Sequence, residues 1–319
     1  MAGVGPISIS NFLTVYGGEV INAYNEMSQL KDRLIKRTIS SGKSASFPTF
    51  STETAKLHDV GEDIFDSGSS SVSSITSGEK TVVIDKLLYA AQFVDNLDEA
   101  KAHYDIRGSL AAQAGAALAT KHDQWLLAAM VKDATTHTHT HSTGMSATAK
   151  FSSTDELLAM IEQVAAKMDL ASIPDSERVM VLRPYEFYQL LNSDGAISSD
   201  FNSSGDRSKG RQSFHYMGFE FLSVKAQKDY ANLNAGQQVA SDGPLYFGGN
   251  TPTTDHSFDG SLWYATAFHK QSAATLTLKG VTAEANYIPE RNGTLLNAKT
   301  ALGVDTLRPE GIFRINADN

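Results

Sequence analysis

Apolar positions recur at helical spacing most regularly between Leu97 and Val131, LDEAKAHYDIRGSLAAQAGAALATKHDQWLLAAMV. Tyr104, Ala111, Ala114, Leu118, Trp125 and Ala129 fall at intervals of three, four or seven, which places them on one helical face. No proline interrupts the stretch, and alanine, leucine and glutamine, all good helix formers, dominate it. Asp98 and Glu99 would occupy the first turn, where negative charge suits the exposed amides. At 1.5 Å per residue the predicted rod is roughly 50 Å long. Gly108 and Gly115 would let another backbone approach closely, at some cost in helix stability. A rod of this length suits a flat, plate-like subunit better than a small compact enzyme.

The remaining pattern predicts helices and strands without regular βαβ spacing, so the fold class is α+β. Residues 1–10 read as an arm. Asn11 is placed to cap a helix through FLTVYGGEVINAYNEMSQL, striped by Phe12, Val15, Val20, Ala23, Tyr24 and Met27, with a bend or break expected at Gly17–Gly18. LIKRTISSGKSASFPTFS reads as two extended segments joined at Ser41–Gly42–Lys43, with Pro48 at an edge or bulge. Residues 51–80 are rich in serine and glycine, with Ile64, Phe65, Val72 and Ile75 as sparse apolar anchors. Alone they cannot bury enough surface to offset their ordering entropy, so an extended hairpin lying against a neighbouring chain is expected. TVVIDKLLYAAQFV, from Thr81, reads as a strand leading to the rod, and THTHTHSTGMSATAK after it as polar linker.

Thr154 is placed to cap a helix to Met168, with Asp155 and Glu156 favouring its start and Leu157 in the core. RVMVL (Arg178–Leu182) reads as a buried strand, and PYEFYQLL (Pro184–Leu191) as a helix with proline in its first turn. Residues 192–213 are polar and read as mobile. FHYMGFEFLSV is a strand pair, or one strand bent at Gly218, and 226–260 is loop-rich. LWYATAFHK and ATLTLKGVTAEANY are strand-like, and LRPEGIFRI is a turn followed by a closing strand.

Composition narrows the function classes. The chain has 319 residues and 41% hydrophobic content, enough for a substantial core in one large or two smaller domains. With no cysteine, disulfides, thiolate catalysis and cysteine-ligated zinc are out of reach, which fits a reducing cytoplasm. No basic segment precedes an apolar run at the N-terminus, and no window approaches the ~18–20 apolar residues of a membrane span, so neither secretion nor a membrane is expected. A net charge of -9 argues against a dedicated nucleic-acid grip.

Candidate chemistry is sparse. SSGKS (Ser40–Ser44) invites a phosphate-loop reading, but Arg37 stands where the pattern needs glycine and SASFPTF does not continue as a helix. A turn whose Lys43 meets a neighbouring subunit is the reading preferred. His137, His139 and His141 alternate, so an extended backbone would put them on one face, as a zinc or nickel site requires. No carboxylate lies inside that threonine-rich run, and no specific metal is assigned. Adjacent acids, Glu62/Asp63, Asp98/Glu99 and Asp155/Glu156, point to different faces and form no converging pair. His103, Asp105 and Arg107 read as a surface network. There is no GxSxG elbow and no HExxH. No catalytic, cofactor-binding or metal residue is therefore assigned.

The colinear set YGGEVINAY (Tyr16–Tyr24), RTISSGKSASFP (Arg37–Pro48), HYDIRGSLAAQAGAALA (His103–Ala119) and LRPEG (Leu307–Gly311) resembles the major capsid proteins of tailed bacteriophages, in the short-tailed podovirus branch. The resemblance implies the tailed-phage capsid fold: residues 1–42 an N-terminal arm, 43–80 an extended β-hairpin loop, 81–135 a peripheral domain with a long spine helix, 136–270 an axial domain, and 271–319 a return to the peripheral sheet with a C-terminal strand. Gly115, as a close-approach position, is expected to let the spine pack tightly against that sheet. The resemblance also implies no enzyme activity or cofactor, and assembly of many copies, as pentamers and hexamers, into an icosahedral shell around double-stranded DNA contacted non-specifically. Scaffolding protein and portal are the further partners, and the host cytoplasm is the place of assembly. No cross-linking role is carried to Lys43, Lys56 or Lys80. The alternatives are an encapsulin-like nanocompartment shell and a soluble hydrolase, which would need a converging polar site.

Overall fold

The computed structural model describes residues 9–50, 55, 57, 60, 77–84, 86–97, 106–134, 138–140, 154–191, 214–223, 246–247, 258–259 and 263–316. In chain order the main elements are α1 (Ile9–Met27), β1 (Ile35–Thr38), β2 (Ser44–Phe50), β3 (Ser77–Val83), β4 (Leu87–Asp95), α2 (Ile106–Asp133), β5 (Thr138–Thr140), α3 (Thr154–Leu170), β6 (Arg178–Leu182) and α4 (Pro184–Leu191). They continue as β7 (Phe214–Tyr216), β8 (Phe219–Ser223), β9 (Tyr246–Phe247), β10 (Phe258–Asp259), β11 (Trp263–His269), β12 (Ala273–Ile288), β13 (Gly293–Thr306) and β14 (Ile312–Asn316). Helices and sheets mix without a βαβ repeat, an α+β arrangement as expected.

Two sheets carry the fold. In the first, β12 and β13 form a long antiparallel ribbon, flanked in the order β1-β12-β13-β4, with β1 parallel to β12. One face of this sheet, with Leu88, Ala90, Val94, Leu296 and Ala298, packs against Tyr16, Val20 and Tyr24 of α1 and Ala111, Ala114 and Leu118 of α2. The second sheet has the order β5-β14-β11-β6-β8-β7. Met180, Leu182, Phe219, Phe221 and Tyr264 share a core with Leu157, Ile161 and Val164 of α3 and Phe187 of α4. Val179, Val181, Leu222 and Phe268 instead join Leu126, Leu127, Met130 and Val131 of α2, together with Leu302 and Val304 of β13. The spine helix thus begins on one sheet and ends wedged between the two. That is why its first half is buried on one stripe while residues 122–131 are buried all round.

The predicted stripe holds at Ala111, Ala114, Leu118, Trp125 and Ala129, all buried. The described helix begins at Ile106 and runs 28 residues, about 42 Å at 1.5 Å per residue; residues 98–105, with Asp98, Glu99, His103, Tyr104 and Asp105, lie outside the described residues. Asn11 is inside α1 rather than capping it, and α1 runs unbroken through Gly17–Gly18. Glycine costs about 1 kcal/mol per helical position relative to alanine, and burial of Tyr16, Val20 and Tyr24 against α2 outweighs it. Gly115 does not meet the sheet. It faces α1, where an added Cβ would lie 2.5 Å from the Val20 carbonyl oxygen and 2.8 Å from Ala23 Cβ.

TVVIDKLLYAAQFV is two strands, β3 and β4, not one. The expected polar linker contains β5, which pairs in parallel with Arg314–Asn316. The two-residue strands β9 and β10 pair within the loop-rich region. Of the expected arm 1–10, residues 9 and 10 instead belong to α1, while residues 1–8, 192–213 and all of 51–76 except 55, 57 and 60 lie outside the described residues. Among the described residues the remaining expected elements form, including the α3 and α4 helices, the β7–β8 pair around Gly218, and the closing turn and strand after Leu307.

Candidate assembly surfaces

Three features built from the sequence mark surfaces through which the chain can meet other chains. The first is the β2–β3 hairpin. Its strands pair from Ser44↔Val83 to Phe50↔Ser77, with Pro48 in a two-stranded ribbon that has no central position to disrupt. The base is fixed to the body. Ala45, Phe47 and Val82 share a buried cluster with Ala274 and Leu276 of β12, and the Ile84 N–H donates to the Lys43 carbonyl at 2.8 Å. Arg37 Nη1 donates to the Ser46 carbonyl at 2.7 Å, and its guanidinium lies 5.6 Å from the Phe47 ring centre. β13 approaches so closely that a Cβ at Gly303 would stand 2.4 Å from the Val83 carbonyl oxygen. Lys80 lies 3.6 Å from Asp305, and Thr306 donates its hydroxyl to Asp133, whose carboxyl is pushed up by burial. Farther out, Leu57 and Val60 are exposed.

The second feature is the sheet face turned away from the helices. Because successive strand residues alternate in direction, Leu87, Tyr89, Ala91 and Phe93 of β4 line that face. Leu87, Tyr89 and Phe93 are 49%, 66% and 41% exposed, too much for a chain that already has a full core. Leu295 stands opposite Phe93, and Lys299, opposite Tyr89, is paired with Glu284 at 2.6 Å.

The third feature is the clasp that holds α1 to the spine. Tyr24 OH and His122 Nδ1 are 2.8 Å apart, and His122 Nε2 is 3.4 Å from Thr275 Oγ1 on β12. Asp123 accepts from Ser28 Oγ at 2.9 Å and from the backbone N–H of Gln29 and Leu30 at 2.7 and 3.4 Å. It thereby fixes the segment Ser28–Leu30 between α1 and the turn Lys31–Arg33. Burial pushes the Asp123 carboxyl up to about 6 against the pull of these donors, and burial with the nearby Lys31 and Lys36 charges pushes His122 down to about 4. Beyond the clasp, Arg33 makes a two-point ion pair with Glu220 of β8, tying the segment after α1 to the second sheet.

Among the described residues, those weighed as chemistry are not brought together. Ser40–Ser44 span the turn between β1 and β2, with Gly42 at φ 105 and a strand, not a helix, after it. Of the three histidines only His139 is described, on β5, while His137 and His141 lie outside the described residues. Asp155 and Glu156 sit in the first turn of α3, and Glu62 and Asp63 are not described. Among the described residues no group of three His, Asp or Glu could hold a metal ion. Sequence reasoning did not single out Tyr89 and Phe93; apolar residues on both faces of LLYAAQFV were the available signal, since a strand with only one covered face alternates.

Comparison with known proteins agrees with this picture of a subunit that works by contact. The major capsid protein of Escherichia phage T7 is 26% identical over 324 aligned residues, covering 94% of this chain and 89% of that protein. The capsid structure of cyanophage P-SCSP1u shares the fold with a TM-score of 0.65 at 23% identity, over 90% of this chain and 87% of that one. A virus-like particle protein from Pyrococcus furiosus shares it with a TM-score of 0.58 at 13% identity, over 95% of this chain and 99% of that one. The Gp10A-like family, described as major capsid protein, matches residues 46–315, and so the chain with its anchored hairpin, bare sheet face and spine helix belongs to that family of phage major capsid proteins.

Proposed function

We propose that this chain is the repeating tile of an icosahedral phage head that encloses packaged double-stranded DNA. One observation carries the reading beyond family membership: the hairpin is pinned at its base by Arg37, Lys80 and the Gly303 approach, while Leu57 and Val60, farther along the sequence, stand fully exposed among the described residues. Burying apolar surface is worth about 25 cal/mol per Å², so such an element gains its partner when another copy lies beside it. Residues 1–42 act as the arm, 43–80 as the extended loop, 81–135 as the peripheral domain with its spine, 136–270 as the axial domain and 271–319 as the returning strands. Pentamers and hexamers of the chain, a scaffolding protein and a portal are the partners of assembly, in the host cytoplasm. The acidic balance of the chain, -9, suits a wall that holds the genome without gripping it. The role is structural, with no chemical step assigned to any residue.

Negative-stain microscopy of the full chain, expressed alone and with a scaffolding partner, tests this. Closed shells of uniform diameter in at least one condition are expected. A monodisperse monomer in both would overturn it.

A further inference from the structure

β4 is the outer strand of the first sheet, and among the described residues it pairs only with β13. Its register with β13 runs through nine consecutive pairs, from Leu87↔Ala301 to Asp95↔Gly293, without a bulge. Between Lys86 and Asp95 it holds no charge, no proline and no glycine. Sheet edges are ordinarily guarded against other chains by short length, charge, proline or bulges, and β4 has none of these inside the strand. Its exposed face reads Leu87, Tyr89, Ala91, Phe93, so a ring stands on either side of the alanine.

That pattern is self-complementary. Laid antiparallel against itself with Ala91 opposite Ala91, the strand sets Tyr89 across from Phe93 twice, and both rings lie on the same continuous face. Aromatic pairs directly across antiparallel strands are among the favourable sheet contacts. The operation is a two-fold rotation perpendicular to the sheet, the isologous contact that most homo-oligomers use.

We propose that β4 is a subunit contact, filled by β4 of a second copy of this chain in antiparallel register about Ala91. The inference rests on the reading as a shell tile, because a second copy is the partner such a protein meets at the highest concentration. A single strand pair falls well short of the ~800 Å² per partner of a standard stable interface, so the contact forms within assembled particles rather than holding free dimers together.

The chain has no cysteine, so Ala91→Cys introduces a single reporter. Opposed residues of antiparallel strands lie about 4.5–5.5 Å apart at Cα, within disulfide range. Full-length Ala91→Cys protein is oxidised as assembled particles and as free subunits, with Asn25→Cys, on an exposed position of α1, as the control. A disulfide-linked dimer in a large share of the assembled Ala91→Cys chains, and in neither free subunits nor the control, is expected. Particles that form without that dimer would overturn the pairing and leave the shell reading standing. No particles from the unmodified chain would take down both. Tyr89→Lys combined with Phe93→Lys is a second arm. At least a tenfold loss of particles with an unchanged circular dichroism spectrum supports the contact, and full particle yield overturns it.

Discussion

The Tyr24 hydroxyl and His122 Nδ1 lie 2.8 Å apart across 98 residues of sequence, with their rings stacked nearly parallel. Next to them Asp123 accepts three hydrogen bonds from the segment that follows α1. Two neighbouring titratable groups of the spine therefore hold the same helix, and burial pushes them in opposite directions. His122, lowered to about 4, contributes stability that is present above its ordinary value of 6.5 and is lost as pH falls towards 4. Asp123, raised to about 6, contributes stability that is present below its ordinary value of 3.8 and is lost as pH rises through 6. Between 4 and 6 the two slopes oppose each other.

Removing either group should therefore uncover the slope of the other. Relative to the unmodified chain, Asp123→Asn should lose stability as pH drops from 6.5 to 4, and His122→Asn should gain it as pH drops from 6 towards 4. Each trend is on the order of 3 kcal/mol in full, with each tenfold change in proton affinity worth 1.36 kcal/mol. Both variants also carry a pH-independent loss of roughly 1–3 kcal/mol from broken buried hydrogen bonds, which the comparison of slopes removes. Urea unfolding from pH 4 to pH 7 reads both. Parallel curves for the two variants would show that the clasp does not titrate as described.

Gly115 marks where α1 and α2 come closest. A methyl group there would stand 2.5 Å from the Val20 carbonyl oxygen, which is backbone and cannot rotate away. Alanine would gain about 1 kcal/mol of helix propensity over glycine, but overpacking of this kind costs about 1–3 kcal/mol. Sterics should win. Gly115→Ala is expected to lower the melting temperature by a few degrees, and Gly115→Leu by more. Gly18→Ala is the control: it is also helical, in α1, nothing lies within 4 Å of its Cβ position, and it should be neutral or stabilising.

The contrast between these two glycines shows how much a sequence reveals of such a fold. The spacing of Ala111, Ala114, Leu118 and Trp125 announces the spine and its buried stripe, because helical period is a local property. What the stripe packs against is not local. Gly115 reads as a close-approach site from sequence, yet only the fold shows that α1, not the sheet, is what approaches. β13 is passed over because GTLLNAKTALGVDT mixes glycine, asparagine and lysine and is held as a strand by two long neighbours, β12 and β4. TVVIDKLLYAAQFV divides because β3 pairs with β2 in the hairpin while β4 pairs with β13 in the first sheet. The clasp is invisible for the same reason, since its partners are 93 to 153 residues apart.

The hairpin separates folding from assembly most cleanly. Its paired base, Ser44–Phe50 against Ser77–Val83, is held to β12 by the buried Ala45, Phe47 and Val82. Deleting residues 62–76 shortens the loop and leaves every paired base position in place. Loop closure depends only weakly on length, so shortening should change subunit stability by less than about 1 kcal/mol. Assembly should respond far more, because the deletion removes Ile64, Phe65, Val72 and Ile75, the apolar residues that could lie against a neighbouring copy. A folded subunit with a near-normal melting temperature that no longer forms shells under microscopy is the expected result. Normal shells from the deletion variant would show that the loop is dispensable for contact between copies. An unfolded subunit would show that the loop belongs to the chain's own core.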